Sequence, residues 1–154
     1  MERPNLGCRT LMYRNFSKIL SGLHNDIVDW VAQTRVKSAQ LLYNLLVNEE
    51  DNVTQHLEKV LNCLQRATSD DEPEVITYVN KSAELVGYFV DPEVWVKMVL
   101  KHVKLTQTSG SLMLLASVLQ GCEGSQLTPY LVEITSVLVD SEICRSSDVG
   151  SNRF

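Results

Sequence analysis

Long apolar runs are missing from this 154-residue chain. The longest unbroken one, Leu112 to Ala116, is far too short to cross a bilayer. An excess of positive charge is missing too. The net charge is −5 and the pI about 5.2, so the clustered cations that phosphate-backbone binding needs are not available and nucleic acid is a poor partner. Cysteine is sparse and scattered: Cys8, Cys63, Cys122 and Cys144 contain no C-x-x-C pair, which argues against a disulfide or zinc framework and for reduced thiols. The first residues, Met1 to Asn5, lack the charged-then-apolar order of a signal segment, so the expected location is the cytoplasm. Aromatic residues make up only 6%, so a core must be built from Leu, Val, Ile and Ala.

Chemistry-bearing constellations are also absent. His56 and Cys63 are the only nucleophile–base candidates on one predicted helix, and two turns separate them by about 10 Å at 1.5 Å per residue. That exceeds hydrogen-bond reach, so Cys63 reads as a small buried hydrophobe. Three isolated histidines, His24, His56 and His102, have no metal-ligand spacing. No cofactor and no catalysis are expected.

What is present is a repeat. Lys37-Ser38-Ala39-Gln40-Leu41-Leu42 is echoed by Lys81-Ser82-Ala83-Glu84-Leu85-Val86, offset by 44 residues at every matched position. Each phrase sits in an apolar pattern of helical period, with Val36, Ala39, Tyr43 and Leu46 in one copy and Ile76, Val79, Ala83, Val86 and Val90 in the other. A helical self-similarity of this length is the signature of HEAT or armadillo units, helix pairs that bury their apolar faces only by stacking on neighbours. The fold class is therefore all-α, an α-solenoid of antiparallel helix pairs. The small Ala in each phrase lets two helix axes approach closely.

Along the chain, residues 1–9 read as irregular, 10–140 as the solenoid of about three helix pairs plus an unpaired helix, and 141–154 as a disordered polar tail. Helix starts are predicted near Thr10, after Asp29 or Thr34, at Asn52 with Gln55, at Asp71-Glu72-Pro73-Glu74, at Asp91-Pro92-Glu93 and at Thr128-Pro129. Thr106 to Ser111 reads as a loop around Gly110, and the helix after it ends at Gly121. The last helix, with Leu131, Ile134 and Leu138, has no successor to cover it, as in a fragment or a truncated isoform. An exposed apolar strip is expected there.

Taken as an ordered set, Asp29-Trp30-Val31, Thr34 to Leu42, Thr54-Gln55-His56-Leu57-Glu58, Ser82 to Gly87 and Pro92-Glu93-Val94 resemble the HEAT-repeat dynein axonemal assembly factor family. The resemblance implies a non-enzymatic scaffold for cytoplasmic preassembly of axonemal dynein arms for motile cilia. Its implied partners are axonemal dynein chains, chaperones and other dynein assembly factors, with no membrane. The alternative is a generic HEAT adaptor in transport or RNA handling. In HEAT arrays the second helix of each pair commonly lines the concave side, which makes Gln40, Asn44 and Glu84 the candidate partner-binding residues. Lys97, Lys101 and Lys104 form the alternative basic stripe, read here as the solvated side of an amphipathic helix. Lys37 and Lys81 stand where HEAT units often carry a cation, with Asp29 and Asp71 as expected partners in a structural ladder. Trp30 and Trp95 are both expected in the core, near apolar periodic positions.

Overall fold

The structure, a computed structural model, describes residues 4–140. The expected tail, 141–154, and Cys144 with it lie outside the described residues. In chain order the elements are α1 (Leu6–Asp26), α2 (Ala32–Glu49), a 3₁₀ segment (Glu50–His56), α3 (Leu57–Ala67), α4 (Pro73–Phe89), α5 (Pro92–Thr106), α6 (Ser109–Gly121), the single turn α7 (Gly124–Leu127), a second 3₁₀ turn (Thr128–Tyr130) and α8 (Leu131–Leu138). No strand occurs among the described residues. The helices form two layers. The second helices, α2, α4 and α6, pack side by side, while α1, α3, α5 and α8 form a layer of first helices whose members touch more sparsely.

Local chemistry explains most of the helix starts. Asp91 accepts from the backbone N–H of Glu93 at 2.8 Å with Pro92 in the first turn, as the sequence predicts. Pro73 likewise opens α4, but the carboxylate that steadies its entry is Asp70, which accepts from the N–H of Glu72 at 2.8 Å. Three expectations are corrected. The chain is helical from Leu6, because Asn5 Oδ1 accepts from Cys8 N at 2.9 Å and caps a helix that begins within residues 1–9. The expected cap at Asn52 does not form, and the chain stays in 3₁₀ geometry until His56. The loop predicted around Gly110 is helix, since Thr108 and Ser111 form a reciprocal capping box that starts α6 at Ser109.

The two phrases are core. Ser38, Ala39 and Leu42 of α2 and Ser82, Ala83 and Val86 of α4 are all buried. The closest backbone approach lies between α4 and α6. A methyl group at Gly87 would run into the carbonyl of Val118, and one at Gly121 into the carbonyl of Glu84. The absent side chains let each helix press its glycine onto the other's backbone one turn away. Trp95 is fully buried, but Trp30 is 90% exposed, against the expectation that both are core. On α8 Ile134 and Val137 are buried, and Leu138 of the expected strip is exposed. Leu131, Val132 and Val139 are exposed, in line with the expected apolar strip.

Gly22, four residues before the end of α1, faces open space, so Gly22→Ala adds only helix propensity and is expected to stabilise by roughly 0.5–1 kcal/mol. Gly121→Ala should instead lower stability by about 1–3 kcal/mol, since α4 and α6 must separate to admit the methyl group. Thermal melts of the two variants, read side by side, check this. Equal upward shifts in Tm would show that the two helices are not held in close contact.

Candidate partner-binding faces

The outward stripe of the second-helix layer runs along α2 through Lys37, Gln40, Leu41 and Asn44, and along α4 through Lys81, Glu84, Leu85 and Tyr88, all exposed or half-buried. The sequence-predicted trio lies on this stripe but in three different environments. Gln40 Nε2 donates to Glu74 Oε1 at 3.3 Å, tying α2 to α4. Asn44 is exposed, and its carbonyl accepts from Asn48 Nδ2 at 2.7 Å. Glu84 is half-buried, with its backbone under Gly121. Between the helices, Tyr43 and Tyr78 face each other with ring centroids 6.1 Å apart, and Lys81 Nζ lies 5.3 Å from the Tyr78 ring. That cation–aromatic cluster went unpredicted, although Tyr43 stood in the periodic pattern and Lys81 in the phrase.

Lys97, Lys101 and Lys104 are all exposed on α5, in the opposite layer. Lys101 also lines a groove of about 300 Å³ between α3 and α5, together with Glu58, Asn62, Met98, His102 and Leu105. Burial, with Lys101 adding to it, holds the His102 imidazole below its ordinary pKa, so it is neutral at physiological pH. The stripe is therefore three cations beside a neutral imidazole and a facing carboxylate, not an enclosed anion site.

The ladder between repeats is not the predicted one. Asp29 Oδ1 accepts from the N–H of Val31 at 2.7 Å, and Asp71 accepts from Arg35, so neither serves the expected lysine. The cation of the ladder is Arg35, whose guanidinium donates through Nε to Asp70 Oδ2 at 2.8 Å and through Nη2 to Asp71 Oδ1 at 2.7 Å. The planar fork of Arg matches two carboxylates at once, which a lysine point charge cannot do. Asp70 and the surrounding acidic groups raise the Arg35 pKa further.

The His56 and Cys63 side chains are not arranged as an activated nucleophile and its base. Burial pushes the Cys63 thiol up to about 11, which keeps it protonated, and His56 packs its ring 5.0 Å from that of Phe16. Among the described residues no three His, Cys, Asp or Glu side chains converge as metal ligands, and no helix is long and apolar enough to cross a membrane.

Two layers of helices in a 44-residue repeat, joined across units by an Arg–Asp brace, define an α-solenoid of the HEAT type. Residues 1–153 match the family model described as Dynein axonemal assembly factor 5, HEAT-repeat domain, and the chain belongs to that family. It is similar to the Dynein axonemal assembly factor 5 of Homo sapiens, 50% identical over 147 residues, which is 96% of this chain and 17% of that protein. The Xenopus laevis protein of the same name is 44% identical over 148 residues, 96% of this chain and 18% of the relative. The Mus musculus protein is 46% identical over 147 residues, again 96% of this chain and 17% of the relative. The chain thus spans about a sixth of the length of these curated relatives. No solved structure matches it.

One buried charge carries a pH signature. Glu49, at the end of α2, is 1% exposed and neither carboxylate oxygen has a hydrogen-bond partner, so desolvation raises its pKa. A carboxyl whose pKa is raised by folding binds its proton more tightly in the folded state. Its contribution to stability therefore falls as pH rises from the ordinary carboxylate range through the raised value. Glu49→Gln is expected to raise Tm at neutral pH and to flatten the acid-side rise in stability. Melting curves across that range, with wild type and variant parallel, would instead place Glu49 in water.

Proposed function

We propose that this chain is a stretch of a non-enzymatic scaffold acting in the cytoplasmic assembly of axonemal dynein, and that its second-helix layer holds the client. The family membership carries the reading, since the relatives at 44–50% identity are named as dynein axonemal assembly factors. The implied partners are axonemal dynein chains, chaperones and other assembly factors. The mechanism is geometric. Close approach of α4 and α6 at Gly87 and Gly121, against the sparser contacts of the first-helix layer, supports a stack that curves toward the second helices. That bend favours a concave surface carrying Gln40, Asn44, Lys81 and the Tyr43–Tyr78 pair. Such a surface holds an incompletely folded chain by shape and by scattered polar and aromatic contacts, with no bond made or broken.

The test is capture of dynein chains from ciliated-cell cytosol by the full-length protein. One variant set carries Gln40→Arg, Asn44→Arg and Glu84→Lys; the other carries Lys97→Glu, Lys101→Glu and Lys104→Glu. The first set should weaken capture while helix content stays intact, because surface substitutions usually change stability by less than about half a kcal/mol. The lysine set, on the opposite layer, should matter less. Loss of capture with the lysine set alone would replace the concave-face mechanism by the basic-stripe adaptor.

A further inference from the structure

The two tryptophans of this chain have opposite fates. Trp95 sits in the core, whereas Trp30 exposes 90% of its surface on the loop between α1 and α2. That loop is braced at several points. Ile27, just before it, is fully buried, and the N–H of Val31 donates to Asp29 Oδ1 at 2.7 Å. Arg35 Nη1 donates to the carbonyls of Asp29 at 3.1 Å and Trp30 at 3.4 Å, while the same guanidinium grips Asp70 and Asp71 of the next repeat. The indole therefore stands on a fixed backbone, with the exposed Val28 and Val31 beside it, and supports no core.

Its rim is acidic. The two loops that meet at Arg35, residues 27–31 and 68–72, carry Asp29, Asp70, Asp71 and Glu72 and no Lys or Arg, with Arg35 and Arg66 the cations that reach them from the neighbouring helices. Arg35 is already engaged, and Asp71, although it pairs with Arg35, remains 92% exposed. An exposed indole on a loop joined through Arg35 to a run of carboxylates attracts a cation by the ring quadrupole and by Coulomb attraction together. It also repels phosphate, whether of nucleic acid or of an anionic membrane. Trp has only two side-chain torsions to fix, so it brings a large contact area at little cost in conformational entropy.

We propose that Trp30, on the loop it shares with the exposed Val28 and Val31 and tied through Arg35 to the acidic loop of Asp70, Asp71 and Glu72, is a docking point for an arginine- or lysine-bearing segment of a protein partner, the cationic side chain stacking on the indole. The site lies on the loop edge of the solenoid, apart from the outward stripe of the second helices, and does not depend on the identity of the client held there.

The experiment titrates the chain with a short tryptophan-free peptide of alternating arginine and serine, and with its glutamate counterpart, following indole emission and binding heat. The arginine peptide should bind and perturb the emission, and the glutamate peptide should do neither. Trp30→Ala should weaken the arginine peptide by about tenfold with Tm unchanged. Asp71→Asn combined with Glu72→Gln should weaken it too and flatten its salt dependence. Equal affinity in Trp30→Ala would reduce the binding to bulk charge attraction and overturn the proposal, as would a lowered Tm, which would make Trp30 a packing residue. Preference for anionic vesicles over the peptide would assign the patch to a membrane. Self-association that disappears in Trp30→Ala would assign it to a second copy.

Discussion

Everything in this fold depends on how closely the second helices can stack. A HEAT-like unit has no private core, so each apolar face is buried only when the next unit arrives at the right distance. Between α4 and α6 that distance is set by backbone against backbone: Gly87 under the carbonyl of Val118, Gly121 under that of Glu84. On α2 and α4, which also pack together, the buried small residues are Ala39 and Ala83 with Ser38 and Ser82. Larger side chains at these positions would push the layer apart and uncover Leu42, Val86 and Val118 together, so a few small residues govern the burial of many large ones.

The first-helix layer obeys a looser rule. Its members are linked partly by long side chains reaching across grooves, such as Arg66 Nη1 donating to the carbonyl of His24 at 2.6 Å and Lys59 Nζ approaching Ser17 Oγ at 3.4 Å. The two layers thus differ in kind, with tight packing on one side and bridged packing on the other. The Arg35 brace adds a constraint along the loop edge, and it is a single rung. At the 44-residue offset Arg35 corresponds to Val79, which is buried, so the next repeat interface is held by packing without that ion-pair ladder.

This division explains what could be read from the residues and what could not. Period and small-residue placement announce packing, which is why the two phrases, the helix at Asp91-Pro92 and the burial of Val96, Val99 and Val103 were legible. Long-range pairing was not. Arg35 and Lys37 lie two residues apart on one helix, and only the position of a loop 35 residues away decides which of them meets a carboxylate. Trp30 failed for a related reason: its apolar neighbours Val28 and Val31 imitate a buried stretch, yet all three lie on a loop held outward by Arg35. Asn5 and Thr108 were caps visible in principle. Asn5 lies in the stretch 1–9 that reads as irregular, and Thr108 in a run of small polar residues that looks like a loop.

The candidate contact residues show the same logic from the other side. Matched at the 44-residue offset, the inward positions repeat in kind: Ser38 with Ser82, Ala39 with Ala83, Leu42 with Val86. The outward positions include close matches, Lys37 with Lys81 and Leu41 with Leu85, but Gln40 becomes Glu84 and Asn44 becomes Tyr88. Stacking demands the same solution at every interface, so its residues recur. A surface that holds one client has no reason to repeat itself every helix pair. The residues by which the chain is placed in its family are thus chiefly those that build the array, and recognition has to be sought where the two copies disagree. On α2 and α4 that means the Gln40–Glu74 link, the open amide of Asn44 and the exposed ring of Tyr88.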